Sequence, residues 1–382
     1  MSKFLTPWSR RLPRLATAVV AAVITTSLLP GDAHGALSLP QVPQKTASPN
    51  GRVHAIVRVG DTVYLGGSFT AVRRKDGTTA TRNRLAAINA TTGELKSWNP
   101  NANGTVLALA VSADGSRIYA GGDFTAIGGR TRNRLAKISA SSGSLSSWKP
   151  SASSSVRALA IKGSRLYAGG TFSTINGTPV SRLAALDTSS GSVKTDFQPR
   201  PDAGVRSLAV SPDGTRLYVA GSFTTIGGAA RRNLAAVGLS SGSARSWAPN
   251  PDWFAYSVTV SSDGSRIYAG GAGTGGRVAA WKPSSNTPLW EKSLDGDANA
   301  VALTANALYA GGHFHVAVGQ AREKLAAFDP ASGALHPWNP GADSLAGVYA
   351  VTAANNGLHV GGDFTVIGGI SQPRYAQFGG TP

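Results

Sequence analysis

Two groups of side chains in this 382-residue sequence have types and spacings suited to chemistry. The first is cationic. Arg73, Arg74 and Lys75 stand together, and Arg130 and Arg132 occupy the matching segment of the next repeat. Clustered cations of this kind create a field that draws polyanions. The second group combines Trp253, Phe254 and Tyr256 with His313 and His315. Aromatic faces beside polar donors suit sugar rings, so these five predict a notch over the fifth repeat. The same aromatics could instead fill the space left by an unusually short loop at 272–276. His313 and His315 lie two apart and would share a strand face. No carboxylate stands at ligand spacing beside them, and a metal needs three or four ligands, so no metal site is predicted.

Signals for catalysis are sparse, and no catalytic residue is assigned. The only Glu residues are Glu94, Glu291 and Glu323, and no pair is placed for glycosidase work. There is no Cys, which excludes a thiol nucleophile, a thiolate metal site and a disulfide scaffold. No nucleophile elbow, zinc-protease helix or phosphate loop is present. No cofactor is expected.

A repeat must position these residues. It begins at Gly66 (GGSFT), Gly121 (GGDFT), Gly169 (GGTFS), Ala220 (AGSFT), Gly270 (GGAGT), Gly311 (GGHFH) and Gly361 (GGDFT). Seven copies at a period near 50 residues predict a solenoid or a propeller. In the second copy, strand A covers 106–111, strand B 117–124, strand C 134–139, and strand D ends at Trp148 and Pro150. Asp-Gly and Ser-Gly turns separate the runs, as in hairpins. Four antiparallel strands per copy predict an all-β, seven-bladed β-propeller. The last copy lacks a strand D. Residues 37–49 are therefore expected to complete that blade, within a closure segment at 37–52 followed by repeats from about 53 to 379.

The GG-x-F-T, RNRLA and SGxxxxW motifs resemble the bacterial delta-60-repeat type of β-propeller, over roughly residues 50–380. They are also similar to the fungal cortical polarity-marker propeller. That likeness implies fold rather than function. The run from Leu325 to Trp338 resembles the tryptophan-docking repeat of quinoproteins. Its Trp falls one residue late, and those dehydrogenases typically have eight units.

Residues 1–36 read as a cleaved export signal. Lys3, Arg10, Arg11 and Arg14 precede an apolar stretch at 15–29, Pro30 and a small-residue cleavage region at 33–36. Ser9-Arg10-Arg11 hints at twin-arginine export, although Pro13 sits where that signal prefers a large apolar residue. No later segment resembles a membrane span. The whole chain carries +18, and removal of the signal leaves +15.

The B–C loops hold fifteen bases and two acids, so one face should be strongly basic. Tight A–B and C–D turns leave little room on the other face. Arg84, Arg134, Arg182, Arg277, Lys324 and Arg374 recur just before strand C and read as architecture. Arg73, Arg74, Lys75, Arg130 and Arg132 are the better ligand-binding candidates. The expected protein is a secreted, monomeric binding or scaffold module. Its partner would be an anionic cell-wall polymer, an acidic polysaccharide or an envelope protein. Nucleic acid is disfavoured because no aromatic platform interleaves with the arginines. The alternative is a glycan-active or quinoprotein-like enzyme with its site at the channel mouth.

Overall fold

Paired glycines set the spacing of this fold. A Cβ on Gly121 would lie 2.6 Å from the Val156 side chain of the next unit. One on Gly122 would lie 2.1 Å from the Thr105 carbonyl oxygen of its own sheet. The first glycine therefore lets neighbouring sheets touch, and the second lets two strands of one sheet close up. The pattern repeats at Gly66 against Val106, Gly169 against Val205, Gly311 against Val348 and Gly361 against Val53. We expect Gly122→Ala to cost about 3 kcal/mol, at the upper end of overpacking, because a backbone carbonyl cannot swing away. Urea unfolding at neutral pH measures it; an unchanged midpoint would show that the strands can separate freely.

The computed structural model describes residues 39–354 and 357–379. The proposed export signal at 1–36 lies outside the described residues. Leu37–Pro382 forms one compact unit. Among the described residues the regular structure is all β, with no helix, and the strand pairs are antiparallel. No helix there is long and apolar enough to cross a membrane.

Seven sheets share one plan. In unit two, Val106–Val111 pairs with Arg117–Gly122, which pairs with Leu135–Ser139. The inner strands of the seven units are Val53–Val59, Val106–Val111, Val156–Lys162, Val205–Val210, Phe254–Val260, Asp297–Leu303 and Val348–Ala354. Each packs on the next, and the last lies against the first. Thr352 Oγ1 donates to the Ile56 carbonyl at 2.9 Å across that last contact. The buried clusters lie between units rather than within them. One joins Ala350 and Tyr375 of unit seven to Val53, Ile56 and Phe69 of unit one.

The expected fourth strand is regular only in unit five, as Trp290–Leu294. Elsewhere it is reduced to single bridges such as Ile88–Leu95 and Ile138–Leu145. The chain leaves the sheet there to seat a Trp against the following unit. Trp148 Nε1 donates to the Asp187 carbonyl at 2.9 Å, and its ring meets Tyr119 edge-on at 5.4 Å. Trp98 does the same with Ser139 and Tyr64. Trp338 of unit six instead donates to the Pro40 carbonyl at 3.1 Å. Gln44 bridges to Gln377 in the last strand of unit seven.

Outside unit five, the B–C loops are themselves small hairpins. In unit two, Ala126–Ile127 pairs with Arg130–Thr131. The linker residues Asn50, Asn103, Asp202, Asp295 and Asp343 cap them by accepting two backbone N–H bonds each. This is the Asx-turn chemistry that small polar residues provide.

Candidate functional site

Each inner strand carries a β-bulge near its start. The register shifts between Val53 and Ala55, Val106 and Ala108, Val156 and Ala158, and Val205 and Ser207. It shifts again between Ala255 and Ser257, Ala298 and Ala300, and Val348 and Ala350. A bulge leaves one residue unpaired and re-aims its side chain. The skipped residues are His54, Leu107, Arg157, Arg206, Tyr256, Asn299 and Tyr349. All seven line one cavity of about 170 Å³. The same seven border a second cavity of about 220 Å³, which continues along the strands past Ile56, Leu109 and Val301. They form a collar to which every unit contributes one side chain.

The collar is polar and carries cations. Arg206 lies over the Tyr256 ring at 4.2 Å. Arg52, just before the first inner strand, lies over Tyr349 at 4.6 Å and pairs with Asp363 at 3.0 Å. His54 meets Tyr349 edge-on at 5.3 Å. Burial, reinforced by the Arg52 charge, pushes His54 down from 6.5 to about 4, so its ring is neutral at pH 7. Asn299 Nδ2 donates to the Val348 carbonyl at 3.2 Å. Asp123 accepts from the Ser155 hydroxyl and Asp363 from the Ser344 hydroxyl.

The predicted basic residues are distributed unevenly. Arg73 and Arg130 are exposed on the loop hairpins of units one and two. Arg74 donates to Thr78 Oγ1 at 3.1 Å, and Lys75 to the Thr92 carbonyl at 2.7 Å with Glu94 3.6 Å away. Arg132 is only 7% exposed. Its guanidinium donates to the Thr131 carbonyl at 2.7 Å and the Ser146 carbonyl at 2.6 Å. Arg82, Arg231 and Arg322 make the same pair of bonds in their own units. This repeated tether spans fourteen residues, and it places Arg132 in the framework rather than on the loop surface.

The position before strand C is likewise architectural. Arg84, Arg134, Arg182, Lys324 and Arg374 have positive φ, near 63 to 67°, as does Asn233 in unit four. Their backbone N–H groups donate to Phe69, Phe124, Phe172, Phe314, Phe364 and Phe223 respectively.

The five residues of the proposed notch differ in exposure and in what they touch. Trp253 is buried, and its ring sits 2.7 Å from where a Cβ on Gly271 would be. In units one, four and seven the motif Phe takes that position beside the second glycine. Trp253 therefore fills the place of the Phe that unit five lacks. Phe254 is 52% exposed, and Tyr256 points into the collar. His313 and His315 are exposed on unit six, with ring centroids 6.2 Å apart. Lys324 Nζ is 2.7 Å from His315 Nε2. The three Glu residues are engaged with bases: Glu94 with Lys75, Glu291 with Arg277 at 3.3 Å, and Glu323 with Lys324 at 3.6 Å.

Another cleft, of about 440 Å³, opens between the turns of units five and six at the opposite end. Unit six has Thr304-Ala305-Asn306 where units two, four and five have an Asp-Gly turn.

Only Tyr256 of the collar had been singled out from sequence. A signal was present: aligning the seven inner strands exposes one column that changes from unit to unit beside a nearly constant Val or Ala.

A family model described as "Domain of unknown function (DUF5122) beta-propeller" matches residues 113–145. The antiparallel all-β build and this match define the class of protein, a β-propeller. Among solved structures, the computationally designed Ika8 protein is similar over 84% of each chain, with a TM-score of 0.54 and 13% identity. That likeness bears on fold alone. A comparison with curated proteins gave no match.

Proposed function

We propose that this chain is an exported, seven-bladed β-propeller of the delta-60-repeat type that binds an anionic envelope polymer through its loop face. In this reading residues 39–49 close the ring as the outer strand of blade seven, and the molecule acts as a monomeric binding module without catalysis. The observation that carries the functional part is the state of Arg73 and Arg130. Both are exposed on neighbouring loop hairpins, and neither guanidinium has a hydrogen-bond or ion-pair partner among the described residues. Cations tied to carbonyls, such as Arg132, hold the framework; untied ones present charge to a partner.

The test is retention of the unit Leu37–Pro382 on native cell wall at low and high salt. Wild type is expected to bind at about 0.05 M salt and to be released near 0.5 M, where screening shortens to a few ångströms. Arg73→Ala/Arg74→Ala/Lys75→Ala/Arg130→Ala should lose on the order of tenfold in retention. Absence of binding by folded wild type at low salt would remove wall polymers as the partner.

A further inference from the structure

We propose that the collar is a separate binding site for a small organic anion, a carboxylate or phosphate ester no larger than a single sugar ring, gripped by Arg157 and Arg206. These two arginines stand on inner strands that pack directly on each other. Both side chains are exposed to the cavity, and neither has a hydrogen-bond or ion-pair partner among the described residues. Most other arginines of the repeat donate to carbonyls, as Arg132 and Arg322 do. Here the same side chain is left free in seven-sided surroundings.

The charge balance at the collar favours an anion. Arg52 is already neutralised by Asp363. Asp123 is the other acid close enough to act on His54, and it accepts from Ser155. Neither Asp123 nor Asp363 forms an ion pair with Arg157 or Arg206, so both guanidiniums face the cavity without a carboxylate partner among the described residues. Arg206 is braced on the Tyr256 ring, which holds its planar fork in place for two oxygens of one ligand. Tyr349 and Asn299 add a phenol and an amide to the same wall.

Size limits the ligand. Drug-sized pockets run from roughly 300 to 1,000 Å³. The collar cavity, at about 170 Å³, admits a smaller molecule. The bulges also explain why this site tolerates charge: an unpaired residue can point into open space while both flanking residues keep the sheet.

Calorimetric titration of the unit Leu37–Pro382 with D-glucuronate, glucose 6-phosphate, inorganic phosphate and glucose tests this. At least one acid should bind with a stoichiometry of one, and glucose should not. Binding by glucuronate alone assigns a carboxylate ligand; binding by the two phosphates assigns a phosphate. Arg157→Gln/Arg206→Gln should weaken the acid on the order of tenfold or more. Arg206→Lys, which keeps charge and loses the fork, should fall between. Arg73→Ala/Arg130→Ala should leave this affinity unchanged, which separates the collar from the loop face. Failure of all three acids to bind would overturn the proposal. So would unaltered affinity in the double Gln variant with its melting temperature intact, or equal binding of glucose.

Discussion

A chain that begins at Asn50 is expected to unfold at a much lower urea concentration than one that begins at Leu37. The segment it lacks is bonded to two distant parts of the molecule. Gln44 N–H donates to the Gln377 carbonyl at 2.8 Å, and Gln377 Nε2 to Gln44 Oε1 at 3.1 Å. Thr46 N–H donates to Gln372 Oε1 at 3.2 Å, and Gln372 Nε2 returns a bond to Thr46 Oγ1 at 2.9 Å. Ala47 donates to Gly93 of unit one at 2.8 Å and is fully buried. Gln372 and Gln377 are themselves buried; truncation leaves Gln372 its bond to the Tyr375 carbonyl and Gln377 its bonds to the Ala90 carbonyl and the Tyr375 hydroxyl, while removing those to Thr46 and Gln44. Each lost bond costs about 1 kcal/mol, and the lost burial of Ala47 and its neighbours adds to this. The sum is on the order of 5 kcal/mol, a large share of the stability of a typical domain. Truncation also uncovers the edge of the last strand, Tyr375–Gly379, and should promote association. Equal midpoints for the two chains would show that the fold does not depend on this segment.

Acidification should weaken the fold before its carboxylates titrate. His359 stands in unit seven where six other units have a buried Tyr, and it is 0% exposed. Its ring stacks on Tyr375 at 6.2 Å, Nδ1 lies 2.9 Å from the Tyr375 hydroxyl, and Nε2 has no partner. Burial, with a smaller push from Arg58, lowers its pKa from 6.5 to about 4. The folded ring is therefore neutral over a range in which the unfolded chain takes up a proton. Its full stabilising share is present above pH 6.5 and is lost as pH falls towards 4. From neutrality to pH 4.5 the loss is about 2–3 kcal/mol for this residue alone. His54, also lowered to about 4, acts in the same direction. His359→Phe should flatten the dependence of the urea midpoint on pH between 6.5 and 4.5. An equally steep slope in the variant would assign the acid sensitivity elsewhere.

The repeat was legible because its constraints are local or strictly periodic. Asp114-Gly115 marks a turn by its own chemistry, and strand A of unit two was expected and found at Val106–Val111. Gly121 and Gly122 are needed where sheets crowd, so the pair recurs in every unit except the fourth, which has Ala220 at the first position. The collar was hidden for the opposite reason. Val106-Leu107-Ala108 reads as continuous apolar strand, and nothing in it says that Leu107 is skipped by the ladder. A one-residue shift reverses which face a side chain takes, so simple alternation misassigns the residue. Arg132 was misleading because its tether is made to a carbonyl fourteen residues away. Trp253 looked surplus only when the missing Phe of its unit was counted separately. The polar groups of His313 and His315 were visible, but their distance from the aromatic side chains depends on the packing of units five and six.

The bulges have a consequence for how this scaffold changes over time. A residue outside the ladder can be exchanged without moving the register of its strand. One chain already shows His54, Leu107, Arg157, Arg206, Tyr256, Asn299 and Tyr349 at this single structural position. Mutation can therefore sample these side chains while the contacts between units stay fixed, with Arg206 and Tyr256, and His54 and Tyr349, changing as touching pairs. Ligand preference can drift by single substitutions through folded intermediates. The same property makes the collar a compact combinatorial library for engineering new receptors.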